Sequence, residues 1–145
     1  MRRMHWTVLG ALAAAVVVGA CGSCGSKEAK VRQLGSVAFA DHGTQSVRGK
    51  TALALEADSN YFKPTFLRGE TGQQLTLTIE NESASLHNFS VAGQQIDVDI
   101  PAKGKVQVTV TFPAMGAARF FCKYHADQGM NGELLVGDTA PQPIS

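Results

Sequence analysis

From Thr51 onward the chain alternates apolar and polar residues with a period of two. Leu53, Leu55 and Ala57 are interleaved with Ala54, Glu56 and Asp58, and Leu75, Leu77 and Ile79 with Thr76, Thr78 and Glu80. Later, Val106, Val108, Val110 and Phe112 are interleaved with Gln107, Thr109 and Thr111. Successive side chains of an extended strand point to opposite faces, so each run predicts a strand with one face in a core and the other in water. Turn signals separate the runs: Arg68-Gly69-Glu70-Thr71-Gly72, Ala92-Gly93, Pro101-Ala102-Lys103-Gly104 and Pro113-Ala114-Met115-Gly116. Seven or eight short strands at such spacing, with no competing helical period and no internal repeat, predict an all-β fold, a Greek-key β-sandwich.

Residues 1–50 read differently. Arg2 and Arg3 precede an apolar stretch over residues 6–18 that is too short to favour a stable membrane span, which predicts a signal peptide over residues 1–20. The run Val18-Gly19-Ala20-Cys21 resembles the bacterial lipoprotein processing box. That resemblance implies an exported protein whose Cys21 becomes a lipidated N-terminus, anchored to the outer face of the bacterial cell membrane. An ordinary secretory cleavage or an uncleaved anchor is the other reading of the same flanks. Residues 21–50, rich in Gly, Ser and charge, are expected to form a flexible lipid-anchored linker that buries little apolar area. A short strand near residues 35–40 is the exception, ended by Asp41-His42-Gly43. The folded domain is expected over residues 51–138, with a C-terminal tail over 139–145.

A chain of 145 residues suits one domain after its leader is removed. Without Arg2 and Arg3 the 13 basic side chains fall to 11 against 12 acidic ones, a formal −1. Phosphate binding needs a basic surface, so no nucleic-acid partner is expected.

The chemistry concentrates on one short loop. Phe120-Phe121-Cys122-Lys123-Tyr124-His125-Ala126-Asp127-Gln128-Gly129-Met130 places a thiol, an imidazole and a thioether close together in sequence. Thiolate and thioether suit copper in its reduced state, imidazole suits both oxidation states, and two His with one Cys and a weak Met make a blue-copper centre. Zinc takes Cys and His, but Met is not among its usual ligands. The remaining donor must come from elsewhere. His87 follows the polar turn Asn81-Glu82-Ser83-Ala84-Ser85 and opens an apolar run, so it is expected at a strand end facing the loop; His42, in a polar stretch, is a poor candidate. With Cys21 lipidated and Cys122 on metal, Cys24 is left on the linker, free or capped. A Cys21–Cys24 or Cys24–Cys122 disulfide is the rival arrangement, and the second would abolish the metal site.

Two motifs carry a family resemblance: His87-Asn88-Phe89, and Cys122-x-x-His125-x-x-x-Gly129-Met130-x-Gly132 followed by the strand Glu133-Leu134-Leu135-Val136. Residues 60–137 resemble a cupredoxin of the plastocyanin, pseudoazurin and amicyanin type. The resemblance implies that His87, Cys122 and His125 are the strong copper ligands and Met130 the axial one, with Asn88 holding the ligand loops together. It departs from the pattern at Ala118, where an aromatic is common, and at Met115, which offers a second thioether.

Four protein ligands leave no open position for substrate or water, so no catalytic activity is expected. The expected role is single-electron transport by one copper ion cycling between Cu(I) and Cu(II), with redox proteins such as a respiratory oxidase or reductase as donor and acceptor. Docking is expected through apolar residues around His125, namely Pro113, Ala114, Met115 and Ala126. The alternative is an extracytoplasmic copper carrier or buffer. A subunit that feeds electrons to a multicopper enzyme is a third reading, with catalysis in the partner.

Overall fold

A computed structural model describes residues 29–143. Cys21, Cys24 and the signal expected over residues 1–20 lie outside the described residues. The strands are β1 (Lys30–Leu34), β2 (Val37–Asp41), β3 (Thr44–Ser46), β4 (Ala52–Asp58), β5 (Tyr61–Lys63) and β6 (Phe66–Gly69). They continue as β7 (Gln74–Asn81), β8 (His87–Val91), β9 (Ile96–Ile100), β10 (Lys105–Thr111), β11 (Ala117–Phe121) and β12 (Asn131–Val136), with one 3-10 turn at Ala126–Gln128.

Two sheets, in the orders β10-β7-β4-β5 and β3-β6-β12-β11-β8-β9, enclose the core, and β1-β2 forms a separate hairpin. The parallel pairs β4/β7, β6/β12 and β3/β6 require long crossings between the sheets, as a Greek-key sandwich does. The alternation seen in the sequence is the alternation of burial. Leu55 and Ala57 of β4, and Leu75, Leu77 and Ile79 of β7, are buried, while their polar neighbours are not. The expected β-sandwich is therefore present.

Among the described residues twelve strands stand where seven or eight were expected; β1 and β3 correct the linker assignment, while β2 stands at the short strand expected near residues 35–40. Residues 30–50 form β1, β2 and β3 and pack on the sandwich. Phe39 of β2 is fully buried and meets Phe66 at a ring-centroid distance of 5.5 Å beside Leu135. Burying one such side chain is worth roughly 1.5–3 kcal/mol, and half-buried Leu34 and Val37 of the hairpin pack against the same cluster. The tail is also held: Arg68 Nη1 donates to the carbonyls of Gly137 and Thr139, and the Gln142 N–H donates to Glu133 Oε2.

Register brings the candidate ligands to one pole. β11 runs antiparallel to β8 with Phe121 opposite Ser90 and Phe120 opposite Val91, so the start of β8 lies beside the end of β11. His87 and Cys122 occupy those two ends. Phe120 and Cys122 face the core and are fully buried, whereas Phe121 is half-buried under the Arg119 guanidinium, 4.8 Å above its ring. Beneath the pole, Phe62, Phe89 and Phe120 pack with centroids 5.3–5.6 Å apart. Cys122 and Met130 belong to the same apolar cluster. Gly132 of the loop motif serves this packing. A Cβ there would come within 2.1 Å of the Phe120 ring and 2.4 Å of the Thr65 carbonyl oxygen.

Candidate metal centre

His87 is presented by a turn that its own polar residues build. The Asn81 side-chain N–H2 donates to the carbonyls of Ser85, Ile100 and Pro101 at 2.8–3.0 Å, which leaves Asn81 Oδ1 to accept from the Ser83 N–H and hydroxyl. Amide and carbonyl oxygens can only accept, so the single Ser83 proton goes to Asn81 Oδ1 or to the Ser85 carbonyl 3.2 Å away. Ser83 Oγ, 2.9 Å from His87 Nε2, must then accept from that ring nitrogen. This assigns the proton of neutral His87 to Nε2 and turns the Nδ1 lone pair inward, as a metal ligand whose other nitrogen is hydrogen-bonded requires.

Three donors converge where that lone pair points. Cys122 Sγ and one ring nitrogen each of His87 and His125 lie within 4.8 Å of one another. His125 Nδ1 is 3.1 Å from His87 Nδ1 and 3.4 Å from Cys122 Sγ. His87 and Cys122 are buried and His125 is partly exposed. Burial, and secondarily the charge His125 can carry, holds the His87 pKa below its ordinary 6.5, which favours the neutral ligand form.

The loop closes through its backbone. The Cys122 N–H donates to the Met130 carbonyl at 3.0 Å, the Met130 N–H to the His125 carbonyl at 3.1 Å, and the His125 N–H to the Cys122 carbonyl at 3.1 Å. Met130 is fully buried, so its thioether stays in the apolar pole with Cys122. Gly129 closes the turn in the left-handed region at φ 97°.

Asn88 joins the two ligand segments. Its Oδ1 accepts from the Lys123 N–H at 3.3 Å and from Ser90 Oγ at 2.7 Å. Its Nδ2 donates to Asp97 Oδ1 at 2.7 Å and Asp99 Oδ1 at 3.0 Å. The same carboxylates take the Lys123 ammonium and the Tyr124 hydroxyl. Their pKa values are lowered by these partners, Lys123 leading at Asp97 and Asn88 at Asp99.

The donors fit copper. One thiol and two imidazoles around a single point, with a buried thioether on the same loop, are the soft and borderline set that copper prefers, and the thioether argues against zinc. His42 is engaged elsewhere: its ring stacks on Tyr61 at 3.8 Å and its backbone N–H donates to Thr65 Oγ1.

The expected docking residues need correction. Pro113, Ala114 and Met115 precede β11 whereas Cys122 follows it, and at ~3.3 Å per residue the strand puts roughly 15 Å between them. That turn sits at the opposite pole, where the Ala114 carbonyl accepts from Thr71 Oγ1 and the Gly116 carbonyl from the Val136 N–H. The large exposed apolar side chains adjoining the ligands are instead Leu86, next to His87, and Tyr124, next to His125. Ser83, Asp97 and Asp99 were not foreseen in the sequence. The Asn81-x-Ser83 spacing, typical of a side-chain-capped turn, was the available signal.

A family model for the cupredoxin-like domain matches residues 13–136. The chain belongs to the cupredoxin-like family. Solved structures resemble it at low sequence identity. Dithionite-reduced auracyanin from Roseiflexus castenholzii is 20% identical, with 61% of this chain and 98% of that chain covered and a TM-score of 0.52. Auracyanin B is 19% identical, with 60% and 88% covered and a TM-score of 0.51. The metal-binding domain of the Streptococcus pneumoniae D39 Cu(I)-exporting P-type ATPase CopA, solved with Cu(I), is 14% identical, with 66% and 99% covered and a TM-score of 0.55. No curated protein sequence matches the chain. At these identities the structural likeness speaks for the fold, and the site rests on this cupredoxin's own residues.

Proposed function

We propose that this cupredoxin carries single electrons between redox partners at the outer face of a bacterial cell membrane, with one copper ion held by His87, Cys122, His125 and Met130. The observation that carries the reading is the convergence of Cys122 Sγ and one ring nitrogen each of His87 and His125 within 4.8 Å at one pole of the sandwich. Copper, when bound, supplies a one-electron couple. The thiolate and thioether favour its reduced state, and the imidazoles serve both states. A donor set built by strand ends and loop hydrogen bonds changes little between oxidation states, which keeps reorganisation small. Four protein donors leave no place for substrate, so catalysis belongs to the partners, for which respiratory oxidases and reductases are the candidates.

His125, the partly exposed ligand, is the shortest way out for the electron, and Leu86, Tyr124 and Ala126 form the surface around it. A lipid on Cys21 would restrict the search for partners to one membrane.

The test is the visible spectrum and voltammetry of the Cu(II) protein. An intense charge-transfer band and a reversible one-electron wave are expected, the band lost in Cys122→Ser and the potential shifted in Met130→Leu. Absence of both from the copper-loaded protein would sink the reading. Rapid copper transfer to an apo-acceptor with slow electron exchange would favour the carrier reading instead.

A further inference from the structure

We propose that strand β2, which lies N-terminal to every ligand motif, clamps the loop that carries Met130, with Asn131 as its positioning residue. The proposal rests on the copper reading above only in what the clamp is for.

Both neighbours of Met130 are bonded to β2. The Ala40 N–H donates to the Gly129 carbonyl at 2.9 Å, and Asn131 Nδ2 donates to the Ala38 carbonyl at 2.7 Å. The second Asn131 N–H crosses the loop to the Ala126 carbonyl at 2.7 Å. On the other side of the amide, Arg119 Nε and Nη2 donate to Asn131 Oδ1 at 3.0 and 2.5 Å. A primary amide offers two donors and two acceptor sites, and all four are used in a side chain with no exposed surface. A buried polar group satisfied in this way admits one arrangement of its surroundings, and the guanidinium bonds are the stronger, charge-assisted kind.

Close approach points the same way. A Cβ at Gly129 would lie 3.3 Å from the Ala40 nitrogen, so β2 presses against the turn at a residue that must also adopt φ 97°. The strand is anchored from its far side by Phe39 in the pocket of Phe66 and Leu135. Met130's own backbone groups are committed to Cys122 and His125. β2 therefore fixes the loop on the flanks of the one ligand whose distance and surroundings tune a copper potential most directly. A segment adjoining the N-terminal region of the chain thus helps to set the properties of the metal centre.

The test uses Asn131→Ala, with Phe39→Leu as a milder loosening of β2 and Val110→Ala as a core substitution remote from the loop. In the metal-free protein, amide exchange at Cys122 and Met130 is expected to accelerate at least about tenfold over the global change in Asn131→Ala, and in the same sense in Phe39→Leu. In the Cu(II) protein the band is expected to persist with the potential moved. A tenfold change in the ratio of Cu(II) to Cu(I) affinity corresponds to about 59 mV for one electron. Val110→Ala should lower stability and leave the potential in place. Unchanged loop exchange with an unchanged potential in both Asn131→Ala and Phe39→Leu would overturn the clamp. A wild-type protein that takes copper without the band would remove the copper reading, while the metal-free exchange data would still decide whether β2 holds the loop. Should Asn131→Ala fail to fold, Phe39→Leu carries both measurements.

Discussion

Replacing Glu133 by Gln should make the metal-free protein more stable at pH 8 and flatten its pH dependence. Glu133 lies in β12 with no exposed surface, its Oε2 accepts the Gln142 N–H at 3.2 Å, and its Oε1 has no partner. Burial pushes the carboxyl from its ordinary 4.5 up to about 7; the Gln142 N–H and the Arg32 charge pull it only part of the way back. The folded state therefore binds this proton more tightly than the unfolded chain does. Its contribution is fully present below 4.5 and is lost as pH rises through about 7. At ~1.4 kcal/mol per pH unit the loss is on the order of 3 kcal/mol. A neutral amide of the same shape avoids it, although its N–H2 inherits the unpartnered position, a penalty the protonated carboxyl shares. The expected gain for Glu133→Gln is about 1–3 kcal/mol at pH 8 and near zero at pH 4.5, read from urea unfolding across that range.

Histidines titrate in the same window with the opposite sign. His42, depressed by burial and the Lys63 charge, and His87, depressed by burial and His125, are held below 6.5. They make the protein more stable as pH rises from 5 to 7. Comparing wild type with Glu133→Gln cancels them and isolates the carboxyl. Identical pH profiles, or a variant less stable at pH 8, would refute the reasoning.

Three further outcomes are expected. Gly132→Ala should cost about 3 kcal/mol or more by thermal or urea unfolding, because its Cβ would meet the Phe120 ring and the Thr65 carbonyl, neither of which can retreat. Ser83→Ala should lower copper affinity about 10- to 100-fold in a competition titration with a chelator, since it frees the His87 ring and leaves Nε2–H without its acceptor. Leu86→Asp should slow electron self-exchange, measured by nuclear magnetic resonance line broadening, about tenfold or more, while Met115→Asp at the far pole leaves it unchanged.

The candidate ligands were legible because their chemistry is local. Cys122, His125 and Met130 stand in one register on one loop, and although Cys122 and Met130 also pack in the core, packing alone would not select an imidazole between them. The strands β4, β7 and β10 were legible because each has a wet face. β8 lacks one: all five of its residues are buried, and its polar side chains Asn88 and Ser90 are satisfied by β9 and by each other. The hairpin was legible only in part: a short strand was expected near residues 35–40, where β2 stands, but its partner β1 was not. In β1 only Leu34 is even half-buried, and in β2 Phe39 alternates with alanines, so the pattern there is weak. Its place in the fold depends on Phe39 with Leu34 and Val37 beside it and on hydrogen bonds to its backbone, to which sequence pattern is blind.

Electron carriage and copper delivery make opposite demands on this pole. Delivery by ligand exchange requires an incoming donor to reach the ion and a resident donor to swing away. Cys122 and Met130 have no exposed surface, and His87 is buried with its far nitrogen on Ser83. Only His125 can yield, and its backbone is tied at both its N–H and its carbonyl within the loop. Asn88 and the two carboxylates of β9 hold Lys123 and Tyr124 between Cys122 and His125, so movement of His125 away from its partners would pull on that network too. An electron needs none of these movements. It needs a donor set that keeps its shape and one donor close to the surface, and these are the properties that the buried Cys122, the capped His87 and the partly exposed His125 share between them.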